Sequence, residues 1–177
     1  MKLQPNTRSD TAHLTRATLE VIQQLGDLIA AVGEHYPRQP EPGASSIGRH
    51  VRHILDHFTA LRCAIRSGRV NYNLRDRDNA VESDPAAARV EIEQIRAWLT
   101  GGDLEDRPLE VESEISISKY QNICLPGSLH REIIYVINHT IHHIAYAKTI
   151  ARQMQLPLDA QLGVAPATAT YLRSTKP

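Results

Sequence analysis

The chain has 177 residues, with 20 Lys plus Arg balanced by 20 Asp plus Glu, nine His and two Cys. Zero net charge with neutral histidines, and only 5% aromatic residues, argue against a nucleic-acid partner or an anionic membrane surface. Cys63 and Cys124 form no C-x-x-C pair, MKLQPNTRSD lacks the apolar core of a signal peptide, and no apolar run approaches the roughly 20 residues of a membrane span, so a cytoplasmic protein is expected.

Residues 1–177 read as a single domain, without internal repeats or low-complexity tracts. The first helix is expected over about Thr11 to Val32, where Leu14, Leu19, Val21, Ile22, Leu25, Leu28 and Ile29 recur at helical spacing. It stops near Gly33, ahead of the proline-rich connection YPRQPEPGASS. Ser46 is a good N-cap for a second helix running to about Ser67, with an apolar stripe of Ile47, Val51, Ile54, Leu55, Phe58, Leu61 and Ile65. The polar loop GRVNYNLRDRDNAVESD follows.

A third helix begins at SDPAAA, capped by Ser83 or Asp84 with Pro85 in its first turn, and ends at Gly101-Gly102. Beyond it, Val111, Ile115 and Ile117 alternate, which reads as a short strand or hairpin. The last helix is expected from about Ser128 to Met154, and the tail after Pro157 reads as irregular. The expected architecture is all-α: an antiparallel four-helix bundle with a short strand or hairpin excursion before the last helix. A homodimer is compatible with such long helices, although the sequence offers no specific seam.

Six of the nine histidines fall in two short stretches, IGRHVRHILDHF and NHTIHHIAY. Residues four apart on a helix lie nearly above one another, so His139 and His143 share a stripe with Val136, Thr140, Ala147 and Ile150 and face inward. Two imidazoles so placed can converge on one cation. The glutamate of H-E-x-x-H is absent, which sets aside the metalloprotease reading. A histidine from the second helix would complete a neutral site of three imidazoles with a fourth position open, the pattern of catalytic zinc. Spacing alone leaves that third ligand undecided among His50, His53 and His57, and by helical angle His50 and His57 lie nearer the apolar stripe. A four-histidine site, using His53, His57, His139 and His143, is also geometrically open.

At these residues the chain resembles the DinB/YfiT-like superfamily of four-helix metal-binding proteins. SIGRHVRHILDHF is similar to that family's second-helix pattern and NHTIHHIAYAK to its last-helix pattern. The resemblance covers nearly the whole chain and implies His53, His139 and His143 as metal ligands. The implied ion is divalent, zinc or nickel, since imidazole suits both. Asp56, one turn beyond His53, is placed to orient an imidazole from behind, and His50, His57 and His142 are further residues that can support the ligands. Tyr72, Arg75 and Arg77 in the polar loop are candidates for holding a carboxylate or phosphate on a substrate.

Some relatives in that family are thiol-dependent S-transferases or isomerases, so the resemblance implies a metal-dependent enzyme acting on a small molecule, of thiol S-transferase or hydrolase type, with a low-molecular-weight thiol as cofactor. Two alternatives stand beside it. One is a non-catalytic metal-binding or stress-related protein, and the other is a bundle whose histidines merely satisfy one another.

Overall fold

Residues 7–74 and 80–175 are described by the structure, a computed structural model. Helix α1 (Thr7–Val32) buries Val21, Ile22, Leu25, Leu28, Ile29 and Val32 along one stripe. Helix α2 (Ile47–Ser67) starts where Ser46 Oγ accepts the Arg49 backbone N–H at 3.1 Å. It ends at Gly68, whose φ of 71° is the left-handed conformation that a side chain opposes. Strand β1 (Arg69–Asn71) follows at once. Asp84 caps helix α3 (Pro85–Gly101) by accepting from the Ala86 N–H, with Pro85 in the first turn, where a missing N–H costs nothing.

Strands β2 (Pro108–Glu114) and β3 (Asn122–Ser128) lead into helix α4 (Leu129–Gln153), which Ser128 caps. Helix α5 (Pro166–Ser174) closes the described chain. Helices α1 to α4 enclose a common core: α4 packs on α1 and α2, and α3 packs on the same two helices. Each Leu or Ile buried there contributes about 1.5–3 kcal/mol relative to exposure. No helix among the described residues is long and apolar enough to cross a membrane.

The expectation of an all-α bundle is overturned by the sheet. Among the described residues, five α-helices are accompanied by a three-stranded mixed sheet of order β1-β2-β3, with β1 parallel to β2 and β3 antiparallel to β2. β1 escaped the sequence reading because three residues with one buried side chain, Val70, show no alternation; their pairing partner, Glu110 to Glu112, lies about forty positions downstream. The hairpin itself lies slightly earlier than the alternating isoleucines suggest. β2 turns Leu109 into the core, whereas Ile115 and Ile117 sit beyond its end and are exposed. Pro126 is tolerated because β3 is an edge strand. The tail also differs from expectation, since α5 forms there without a buried residue and so without the apolar stripe that would reveal it.

The sheet has a consequence for position. β1 leaves the C-terminal end of α2, and β3 delivers the chain to the N-terminal end of α4. It therefore pins these two ends together, and the residue after β1, Tyr72, is carried onto α4. At the other end of α2, Gly48 permits a close approach: a Cβ there would overlap the Glu82 carbonyl and press on the Tyr36 ring. Tyr36 is itself fully buried and donates its hydroxyl to the Val81 carbonyl at 2.7 Å. Residues 80–82 thus rest directly on the first turn of α2, and Glu82 stands beside the histidines.

Candidate metal centre

On α2, His50, His53 and His57 follow one another at intervals of three and four; on α4, His139 and His143 are four apart. His53 Nε2 lies 2.9 Å from His139 Nε2, and His50 Nδ1 lies 2.9 Å from His143 Nδ1. Rising numbers on α2 meet falling numbers on α4, so the two helices run antiparallel. Their imidazoles form one continuous layer: the His53 ring is 4.9 Å from His139 and 4.5 Å from His143, and the last two are 4.5 Å apart.

One ligand nitrogen each from His53, His139 and His143 lies within 4.8 Å of the other two, and all three residues are half-buried. This three-histidine group can hold a metal ion. Bonds of roughly 2.0–2.1 Å in a tetrahedral shell require nitrogens about 3.3 Å apart, so the residues fit after movements of an ångström or so. The donor set is neutral imidazole only, which suits zinc or nickel better than calcium or magnesium. Three protein ligands would leave a fourth position open.

The supporting residues occupy distinct places. His57 is buried and stacks on His139 with centroids 4.2 Å apart; its Nδ1–H donates to the His53 carbonyl at 2.8 Å. Helical angle correctly marked His57 as inward, but inward burial here means packing against a ring of the triad. His50 reaches His143 from behind. Burial, followed by the charge of Arg49, holds the His50 pKa below its ordinary value. His142 is exposed and meets His143 edge-on at 5.4 Å. Asp56 accepts from Arg52 Nη1 at 3.0 Å, and Arg52 Nε donates to Glu82 Oε2 at 2.9 Å. Arg52 is only 7% exposed, so these two carboxylates are what makes its burial tolerable.

Tyr72 does not point to solvent. Its ring stacks on His57 at 4.9 Å and its hydroxyl donates to Glu132 Oε2 at 2.9 Å. Glu132 is 2% exposed, and its second oxygen accepts from Arg131 Nη1 at 2.9 Å. Burial and then the Glu132 charge push the Tyr72 hydroxyl pKa far up, so Tyr72 stays a neutral donor. Arg75 and Arg77, named with it as substrate residues, lie outside the described residues.

A cavity of about 490 Å³ opens onto the centre, lined by Ser45, Arg49, His50, Arg52, His53, Glu82 and His143. Arg49, Arg52, Glu82, Glu132 and Tyr135 were missed by sequence reasoning. Part of the signal was available: Glu132, Tyr135 and His139 fall at i, i+3 and i+7 on one helix, so they share a stripe. Cys63 and Cys124 are both exposed, and neither belongs to the histidine group.

No family model matches the chain and no solved structure matches it. A curated protein it resembles is FK506-binding protein 5 of Rhizopus delemar, 30% identical over 106 residues, which are 59% of this chain and 28% of that protein. The chain thus spans under a third of that relative's length, and the ligand in the relative's name is a property of that relative.

Proposed function

We propose that the protein is a divalent-metal-dependent enzyme acting on a small molecule, of thiol S-transferase or hydrolase type, with zinc or nickel held by His53, His139 and His143. The observation that carries this reading is one geometry: three ligand nitrogens within 4.8 Å, with His53 and His143 also lining an open polar cavity. A centre closed by a fourth protein ligand would be structural. The resemblance of the two histidine stretches to DinB/YfiT-like proteins supports the same reading, including a low-molecular-weight thiol as co-substrate.

A bound ion supplies Lewis acidity to a water, thiol or carbonyl oxygen entering from the cavity. The chain's own residues do the rest. His50 orients the His143 ring through its Nδ1, and the carbonyl of His53 fixes His57, which in turn packs against His139. Asp56 and Glu82 hold Arg52 in place along the cavity wall. Tyr72, Glu132 and Tyr135 seal the opposite side with stacked rings and a satisfied carboxylate.

Elemental analysis of purified protein beside His53→Ala, His139→Ala and His143→Ala tests the reading. About one equivalent of metal in the parent and loss of most of it in each folded variant is the expected result. Full metal retention by the three variants overturns the ligand set, and a metal-free parent after zinc reconstitution leaves the histidines as a hydrogen-bonded layer. Metal retention without turnover on any thiol or hydrolysable substrate favours the non-catalytic metal-binding role.

A further inference from the structure

We propose that the cavity beside the three histidines is an oxyanion site, in which a carboxylate or phosphate on the substrate lies between the Arg49 guanidinium and the His50 Nε2–H. The proposal rests on the metal reading for two steps, the tautomer of His50 and the charge of the ion, and otherwise on this cavity alone.

The first observation is a proton count along the layer. For His143 to give Nε2 to an ion, its proton must sit on Nδ1. That nitrogen is 2.9 Å from His50 Nδ1, which must then accept. A neutral His50 that accepts at Nδ1 carries its proton on Nε2. His50 Nε2 is buried and has no hydrogen-bond partner, and a buried donor left unsatisfied costs about 1–3 kcal/mol. His50 lines the cavity, so a ligand that displaces the atoms covering Nε2 can accept this hydrogen bond.

The second observation is the charge on the walls. Of the two arginines lining the cavity, Arg52 is committed to Asp56 and Glu82. Arg49 has no ion-pair or hydrogen-bond partner for its side chain among the described residues, and it lines the same cavity. A third consideration is compensation. Three neutral imidazoles would leave the two charges of a divalent ion uncancelled, while Asp56 and Glu82 together exceed Arg52 by one negative charge, which Arg49 balances. A carboxylate or phosphate in the cavity would supply negative charge to such an ion. A planar, forked guanidinium matches a carboxylate or phosphate better than any neutral group. Arg49 and His50 are adjacent in sequence on the first turn of α2, so the two donors are held by one rigid element.

The test is a nitrogen-15 NMR titration of the full chain with inorganic phosphate and, separately, acetate, in the metal-free and zinc-loaded forms. Saturable shifts at Arg49 Nε–H and His50 Nε2–H are expected in the zinc-loaded form. Arg49→Ala should weaken the tighter anion by about tenfold or more, and Arg49→Lys by less, with zinc content unchanged in both. The two arms show whether a phosphate or a carboxylate is preferred. Wild-type anion affinity in Arg49→Ala, or shifts spread over other surface arginines, would overturn the proposal. Zinc content measured on the same samples keeps the two readings apart. Phosphate shifts at Arg49 and His50 in a protein that takes no zinc retain the anion site and remove the metal, and full zinc without those shifts does the reverse.

Discussion

His50 and His143 face each other Nδ1 to Nδ1 at 2.9 Å, one on α2 and the other on α4. That contact needs one proton for two nitrogens, so each imidazole sets the tautomer of the other. Removing the partner behind a ligating imidazole typically costs about 10–100-fold in metal affinity. His50→Ala should weaken zinc by that factor in a chelator competition, while exposed His142→Ala should leave it unchanged. Equal affinities for the two variants would show that His50 does not orient His143.

Metal affinity should fall with acid. An imidazole binds an ion only when neutral, and its ordinary pKa is about 6.5. Below that pH, each ligand must release a proton to bind, so the logarithm of the affinity steepens towards a slope of three per pH unit. His50 adds no further proton near neutrality, because burial and Arg49 hold its pKa down. Chelator competition at several pH values between about 5 and 8 reads this slope; a flat profile would argue for ligands other than histidine.

Gly48→Ala should destabilise the fold by about 1–3 kcal/mol, the usual range for forcing extra volume into a packed contact. The new methyl would overlap the Glu82 carbonyl and meet the Tyr36 ring at 2.8 Å. Because Glu82 lines the cavity, anion affinity should fall together with the urea midpoint. An unchanged midpoint would mean that the wall can move aside.

Tyr72→Phe separates a structural from a substrate role. It leaves the buried Glu132 carboxylate with Arg131 alone, at a cost of about 1–3 kcal/mol. Stability should drop, with zinc content and anion affinity near wild type. A variant of wild-type stability that loses ligand affinity would restore Tyr72 to the substrate side.

Lys148 is 8% exposed and donates to the Ala160 carbonyl at 2.6 Å and the Leu162 carbonyl at 3.2 Å, holding the chain after α4 against that helix. Burial, and then Arg152, hold its pKa below the ordinary 10.5. Between that lowered value and 10.5 the unfolded chain binds more protons than the folded one, so stability from this residue rises with pH across the window. Lys148→Met should lose about 1–3 kcal/mol at neutral pH by stranding the buried Leu162 carbonyl, and should flatten that alkaline rise. Urea unfolding at both ends of the window measures each effect.

The four long helices were legible because each carries a strong apolar period, and because Ser46, Asp84 and Ser128 stand where caps are needed. The sheet was only half legible. A three-residue strand such as β1 has no period, and its parallel pairing with β2 depends on a contact far away in sequence. At the site, the H-x-x-x-H of α4 announced two converging imidazoles. The angular argument on α2 ranked burial, and it favoured His57 over His53. Coordination instead follows the direction of a ring nitrogen, which depends on partners such as the His53 carbonyl that no helical wheel contains. Arg49 was overlooked for a similar reason, since an exposed arginine becomes informative only when its neighbour Arg52 is seen to be neutralised by Asp56 and Glu82.

All three candidate ligands come from just two helices, α2 and α4, at positions 86 residues apart between His53 and His139. An occupant of that shared centre would act as a ruler for the gap between the helices, with ionic radius translated into backbone spacing. Swapping one cation for a larger one would spread the two antiparallel segments rather than distort a single loop. The hinge of that movement would lie where β2 joins β1 to β3 and so ties their far ends together.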